Sequence, residues 1–508
     1  TGFTLSGAGG IQGAGGRFVG SAGDVNGDGF ADLIVGADLA DVNGTDFGAS
    51  YVVFGKASGF AANIDLSTLD GTTGFRLSGG AGQRSGFSVS SAGDVNGDGF
   101  ADVIVGALSA NASYVVFGHA SGFAANIDLS SLDGSTGFRI SGAGTSASSA
   151  GDVNGDGFAD LIVGNNYASP NGANSGASYV VFGQASGFAA NIDVANLDGT
   201  TGFKLSGVAA NDRSGRFVGS AGDVNGDGLA DLIVGAPFAT PNASYVVFAK
   251  LPDTAVNRTG TDAAQTLAGG DFDDTLSGLG GDDVLHGNGG NDTLAGGAGG
   301  DTLIGGGGSD TASYAGSGAG VTVNLGAGTA SGGDAAGDTL SEIENLIGSA
   351  QVDTLTGDGG DNVLEGGGGA DTLDGGAGDD TLIGGLGNDS YRVDSANDVV
   401  TETTGGGYDI VVATADYTLP ADVEALYMNG SGLTGTGSAG ADTLLSIGGA
   451  NTLVGLGGND LYYVNNAGDA VTESANADFD TVVTTVSYAM PANVEALYLV
   501  GTGLTGTG

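Results

Sequence analysis

Leucine returns every nine residues in the second half of this chain, at Leu267, Leu276, Leu285, Leu294 and Leu303. An acid keeps the same step, two residues ahead of a slot usually filled by leucine: Asp274, Asp283, Asp292, Asp301 and Asp310. Glycine-rich runs such as Gly296-Gly297-Ala298-Gly299-Gly300 lie between the acids. A nine-residue unit buries too little to fold alone, but it stacks on its neighbours. Each unit would supply one short strand and one turn, with leucine inside and glycine–aspartate at the bend. A flexible glycine linker has no reason to hold leucine in register. Part of the chain is therefore expected to be a solenoid, with bends whose ordered acids suit calcium.

The step resumes at Leu355, Leu364, Leu373 and Leu382, with Asp353, Asp371, Asp380 and Asp389, and briefly at Leu444 and Leu453, with Asp442 and Asp460. Asn362 and Asn451 stand where an acid is expected, which predicts weaker sites there. From 388 a longer unit repeats once. Tyr391, Tyr417, Pro420 and Glu424 return 71 residues later as Tyr462, Tyr488, Pro491 and Glu495. These tyrosines read as core or edge packing.

The first half holds four copies of a different unit, anchored on Ser-Ala-Gly-Asp-Val-Asn-Gly-Asp-Gly. Oxygen-bearing side chains fall at positions one, three, five and nine: Asp24, Asn26, Asp28 and Asp32; Asp94, Asn96, Asp98 and Asp102; Asp152, Asn154, Asp156 and Asp160; Asp223, Asn225, Asp227 and Asp231. Alternate residues of a tight turn converge, and calcium takes six to eight hard oxygen ligands. A glycine at position six, Gly29 in the first copy, allows the sharp bend. The main-chain carbonyl at position seven (Phe30, Phe100, Phe158 or Leu229) can add an oxygen. A single loop of this kind also fits an Asx-rich hairpin turn with solvated acids. Four identical copies favour calcium. Each loop is expected to be a self-contained site, whereas an acid of the solenoid would serve neighbouring turns.

Strands follow each loop: Leu33-Ile34-Val35, then Ser50 to Phe54, then Gly74 to Ser78. Their period-two alternation, bounded by Gly and Asn, marks antiparallel pairing. Helical periodicity is nearly absent. The expected organisation is four units over 1–250, a linker over 251–263, and nonapeptides over 264–314. Intervening strands follow over 315–350, a second nonapeptide block over 351–391, and the long repeats over 392–508 with a short block at 441–462.

The four loop units resemble the FG-GAP repeats of integrin alpha-subunit β-propellers. Gly86-Phe87 precedes a loop, and Gly235-Ala236-Pro237 follows the fourth. The other copies read Gly36-Ala37-Asp38, Gly106-Ala107-Leu108 and Gly164-Asn165-Asn166, and the third lacks the segment before its loop. The nonapeptides resemble RTX repeats of the form Gly-Gly-x-Gly-x-Asp-x-Leu-x. The resemblances imply an all-β chain, with propeller-like blades followed by a parallel β-roll. In that roll the sixth-position aspartates and carbonyls of neighbouring turns bind calcium. The family form has seven blades, so upstream blades are expected. The match of Thr1–Gly7 to Thr73–Gly79, and the end of the chain inside a repeat, agree with a longer parent.

Charge narrows the function. The chain carries 59 acids against 11 bases, for a net charge of −48, and after Arg258 the only base is Arg392. Such a surface repels nucleic acid and anionic lipid. Eleven nonapeptide acids and four loops allow about fifteen divalent ions, which would leave a net charge of about −18. There is no cysteine, so no disulfide staples the fold. No apolar run reaches the length of a membrane span, and no signal peptide opens the chain. His119 shares its repeat slot with Lys56 and Gln184, and His286 falls in a variable slot expected to face solvent. Neither points to catalysis, and the chain is read as non-enzymatic. The resemblance implies a secreted bacterial calcium-binding protein, structural or adhesive, exported by type I secretion and folded by external calcium. Its expected partners are calcium and either its own copies or an extracellular ligand. The alternatives are a surface-layer or filament subunit and the non-catalytic region of a secreted hydrolase or toxin.

Overall fold

Short runs of Val, Ile, Tyr and Phe separated by glycine give strands almost everywhere in the computed structural model. It describes residues 2–7, 18–40, 47–120, 122–185, 187–252, 254–475 and 478–508. Thr1, the first residue of the expected repeat match, lies outside them. Helix among the described residues is confined to three-residue 3-10 turns such as Leu66–Thr68. The chain forms two compact units, Thr1–Pro252 and Asp253–Gly508.

In the first unit each copy builds an antiparallel sheet. The first contains Phe18–Gly23, Asp32–Ala37, Ala49–Val53 and Gly74–Ser78, with Val19 opposite Val35, Ile34 opposite Val52 and Val52 opposite Phe75. A fifth strand, Asn126–Asp128, comes from the next copy and pairs in parallel with Gly74–Ser78. The second copy likewise receives Asn191–Asp193 from the third. Thr4–Ser6 pairs with Asn63–Asp65 in the same way, so this segment occupies an outermost-strand position. The fourth sheet has three strands, Phe217–Gly222, Asp231–Ala236 and Ala243–Val247.

Two of these strand types were not anticipated. The inner strand is rich in Gly, Ser and Ala, and the third copy forms it as Ser146–Gly151 without the Gly-Phe segment. The lent strand is three residues long and pairs far along the sequence. The cores lie between sheets: Ile34, Val52, Phe75 and Leu77 pack with Val103, Val105, Tyr114 and Val116 of the next copy. Phe75 stacks on Phe123 at 4.4 Å, and Phe138 on Phe188 at 4.5 Å. Face-to-face sheets joined this way are consistent with propeller blades.

The second unit is a parallel β-solenoid. Its pairing step is eighteen residues, twice the sequence period: Leu276 lies beside Leu294, and Leu285 beside Leu303. Successive nonapeptides therefore alternate between two sheets. The leucines of both sheets point inward and are fully buried. One cluster runs from Leu267 to Val494.

The intervening segment does not break this stack. Thr339–Ser341 and Asn345–Ile347 continue the two sheets, while Thr322–Asn324 and Thr329–Ser331 insert as a local antiparallel pair. Within the stretch read as a linker, Asn257–Thr259 is already a solenoid strand, with half-buried Arg258 beside Leu276 in the leucine slot. The arginine hides that strand from a search for leucine.

Candidate metal centres

Each loop of the first unit follows the inner strand and is bent by two glycines. Gly27 and Gly29 have φ of +70° and +84°, open to glycine at little cost. The loop's own amides gather on its first acid. Asp24 Oδ1 accepts from Gly27 at 2.8 Å and Asp28 at 3.1 Å, and its Oδ2 accepts from Gly29 at 2.8 Å. Asp28 accepts from the Phe30 amide at 2.9 Å and from the Asn26 side chain at 3.1 Å. Asp94, Asp152 and Asp223 repeat the first arrangement, and Asp98, Asp156 and Asp227 the second, with Asn96, Asn154 and Asn225 as donors.

The ninth-position acids are fully buried clamps. Asp32 accepts from Val25 at 2.9 Å and from Gly55, just beyond the third strand, at 2.7 Å. Asp102, Asp160 and Asp231 hold the same two places in their copies. Burial raises the Asp32 carboxyl to about 6. The charges of Asp28 and Asp24 add to the rise, and the two amides oppose it. Burial likewise pushes Asp102 and Asp160 well above the usual carboxylate range.

Three of the loops are also braced from outside: the amides of Ala101, Ala159 and Ala230 in the next blade donate to the carbonyls of Asp24, Asp94 and Asp152. The Phe100 ring closes over Gly27, where a side chain would collide with it.

The solenoid acids are arranged differently. The amide of Asp274 donates to Asp292 Oδ1, and that of Asp292 to Asp310 Oδ1, both at 2.7 Å. Asp283 reaches Asp301 in the same way at 2.8 Å. Asp353, Asp371 and Asp389 form a further ladder, and Asp442 donates to Asp460. One oxygen of each acid is thus spoken for.

The other oxygen is buried with no hydrogen-bond partner in Asp283, Asp292, Asp301, Asp310, Asp371, Asp380, Asp389 and Asp460. Leaving a buried acceptor bare costs about 1–3 kcal/mol, and more for a charged group. The first acid of each block is the exception: Asp274, Asp353 and Asp442 take an amide on Oδ2 from Gly270, Ser349 and Ser438. Asn362 also leaves nothing bare, since its side-chain amide donates to the Glu344 carbonyl at 2.8 Å.

The bare oxygens face hollows kept open by glycine. A Cβ on Gly366 would lie 2.5 Å from Asp371 Oδ2 and 2.9 Å from the carbonyl oxygen of Gly384 in the following coil. A Cβ on Gly278 would likewise meet Asp283 Oδ2 and the carbonyl oxygen of Gly296 in the following coil. Carboxylate and carbonyl oxygens of successive coils thus line the same hollow, an all-oxygen donor set of the kind calcium takes. Burial, with the charges of row neighbours, raises Asp283 and Asp292 to about 6 and Asp371 and Asp460 to about 7.

Further acids extend the ladders outside the nonapeptide pattern. Asp301 donates to Asp338, Asp310 to Glu344, Asp380 to Asp398, Asp389 to Asp409 and Asp460 to Asp480. Asp398 keeps the step of nine from Asp389 but has valine in place of leucine two residues on, and irregular spacing hides the other four; each precedes an apolar strand residue by two, as in Asp338-Thr339-Leu340 and Asp409-Ile410-Val411. Tyr391 and Tyr462 occupy leucine slots in the core, as the packing reading expects. His119 stacks on Phe123, and His286 is half-buried on a strand.

Comparison with known proteins agrees with this division. The FG-GAP repeat model matches residues 16–53, 85–117, 143–181 and 215–248. The RTX calcium-binding nonapeptide repeat model matches residues 259–294, 286–316, 339–373, 356–391, 365–400 and 435–469. The chain is a tandem of FG-GAP and RTX repeats. Integrin alpha-7 of Mus musculus is 33% identical over 28% of the tandem and 11% of its own length. Integrin alpha-PS5 of Drosophila melanogaster is 35% identical over 28% and 14%. Endo-1,3-1,4-beta-glycanase ExsH of Rhizobium meliloti (strain 1021) is 39% identical over 15% and 16%. The tandem thus spans less than a fifth of each of these relatives. RTX repeats are calcium-binding, and no described helix is long and apolar enough to cross a membrane.

Proposed function

We propose that this chain is a structural or adhesive protein outside a bacterial cell, exported unfolded and set into shape by external calcium. The observation that carries this reading is the double ladder of buried aspartates whose second oxygens have no donor. Side-chain bases do not balance them: only Arg392 follows Arg258. Calcium would complete the fold along the rows, so binding and folding would be one event. In the blades, positions one, three, five and nine of each loop, with the carbonyl of position seven, would hold one further ion each. An oxygen that accepts one amide keeps a second lone pair for this. The blades would then present a recognition surface, and the roll would act as a calcium-set stalk. The reading includes no catalysis.

The test is circular dichroism of the full chain. In chelator the strand signal should fall by roughly the share of the second unit, and it should return at millimolar calcium. An identical spectrum in both conditions would overturn the reading.

A second reading, association between copies, is favoured by the fourth blade. Its outer strand Ala243–Val247 exposes Tyr245 and Val246, whereas Ala112–Val116, with the same sequence, is buried throughout. An open strand edge recruits another strand. Light scattering in calcium distinguishes a monomer from an edge-paired assembly. The glycanase similarity supports a third reading, in which these repeats are the non-catalytic part of a larger secreted hydrolase.

A further inference from the structure

Each long unit adds a carboxylate that the nonapeptide pattern does not contain. Glu402 joins Asp389 and Asp409, and their ligand oxygens all lie within 4.8 Å of one another. Glu473 joins Asp460 and Asp480 in the same way, 71 residues later. Proximity of acids alone would mean little. Here, however, both aspartates of each trio are at least 99% buried, and each holds one oxygen without a hydrogen-bond partner. Their other oxygens are already engaged. Asp389 Oδ1 accepts from the Asp371 amide and Asp409 Oδ1 from the Asp389 amide, both at 2.7 Å. In the second trio, Asp460 Oδ1 accepts from Asp442 and Asp480 Oδ1 from Asp460, both at 2.9 Å.

The glutamates are held in place. Glu402 accepts from the Tyr391 hydroxyl and the Thr403 amide, and Glu473 from the Tyr462 hydroxyl and the Ser474 amide. A Cβ on Gly384 would meet the Tyr391 hydroxyl, Asp389 Oδ2 and Glu402 Oε1, all closer than 3.0 Å. On Gly455 it would meet the Tyr462 hydroxyl, Asp460 Oδ2 and Glu473 Oε2 just as closely. Glycine thus keeps an oxygen-walled hollow in both copies. Arg392 is the only base after Arg258, and it is largely exposed and pairs with Asp374 at 3.4 Å. The counter-charge for three converging carboxylates must come from solution.

We propose that Asp389–Glu402–Asp409 and Asp460–Glu473–Asp480 are two three-carboxylate cation centres, one per long unit, that bind more tightly than the rest of the roll. An all-oxygen set with three negative charges selects hard cations, calcium among divalent ions and lanthanides more strongly still. The inference rests on the calcium reading of the aspartate rows and goes beyond it, because the glutamates lie outside those rows.

Terbium titration of the full chain tests it, with excitation through tyrosine, since the chain has no tryptophan. Tyr391 and Tyr462 sit beside the hollows as built-in sensitizers. Wild-type protein should take up two equivalents at least tenfold more tightly than the remainder, and calcium should displace those two last. E402Q and E473Q should each lose one tight equivalent, and the double variant both. E365Q, which changes an exposed glutamate, should lose neither. Each single variant keeps the other centre as an internal control for folding. Two tight equivalents surviving in the double variant would overturn the centres while leaving the rows intact. Loss of all binding in each single variant would show that the glutamates serve the fold instead, and would also overturn them. A wild-type chain that binds neither terbium nor calcium along the roll would overturn the row reading together with this one.

Discussion

Blades and roll both place aspartates at glycine bends, yet they treat the carboxylates in opposite ways. Asp24 and Asp32 are capped by amides of their own blade, and their bends are braced by the next. Asp292 and Asp371 have one oxygen capped and one buried bare. The blades also own inter-sheet cores with stacked phenylalanines, whereas a regular stretch of the roll has one leucine per nine residues. The same residue type can therefore serve as scaffold in one half and as an unfinished ligand in the other. Burial decides which, through the donors that the local backbone can supply.

The largest expected effect is regional. In chelator, hydrogen-exchange mass spectrometry of the full chain should show amide protection collapsing across 264–475 and persisting across 85–181. Equal loss in both regions would erase the contrast.

Next comes acid. A carboxyl whose pKa is higher folded than unfolded binds its proton more tightly in the fold. Its stabilisation is complete below the unfolded value of about 4 and is lost as pH rises through the folded value. With calcium removed, Asp283 and Asp292, at about 6, and Asp371 and Asp460, at about 7, should make the roll more ordered at pH 5 than at pH 7.5. A chelated roll that loses strand signal on acidification would contradict this. Protons would then be a poor substitute for the ion.

The smallest effects separate two roles of glycine. Gly366→Ala fills a hollow between Asp371 and the Gly384 carbonyl. It should raise the calcium midpoint for folding of the roll about tenfold, a change of about 1.4 kcal/mol. Gly29→Ala meets no atom within 4 Å but keeps φ at +84°, so it should cost only about 1–2 kcal/mol of blade stability, with little change in the roll's calcium midpoint. Thermal melts at several calcium concentrations would check both.

Much of this division was legible in the sequence because it is periodic. Leucine at a fixed step revealed the inward face of the roll, and four copies of one loop revealed the bends of the blades. What stayed hidden depended on partners distant in sequence. The pairing of two nonapeptides into one coil cannot be read from a step of nine. Asn63–Asp65 and Asn126–Asp128 are strands only because another sheet accepts them. Arg258 in a leucine slot and Ser146–Gly151 without its aromatic residue gave no local signal. Glu402 lies 13 residues from Asp389, a distance that means nothing until the coil closes.

The roll's pairing rule has a consequence for how such a chain can grow. Inserting nine residues into a regular stretch would move every downstream strand onto the opposite sheet. Inserting eighteen would leave every face where it was. The long unit obeys the same constraint although its coils are unequal. Tyr391 pairs with Val411, Val411 with Leu426, Leu426 with Leu444 and Leu444 with Tyr462, so four coils return the chain to the same sheet. Whole units can then be duplicated or deleted without turning the remainder over. The second unit behaves as a ruler with fixed graduations, whose length can change by whole coils while its rows of aspartates stay aligned.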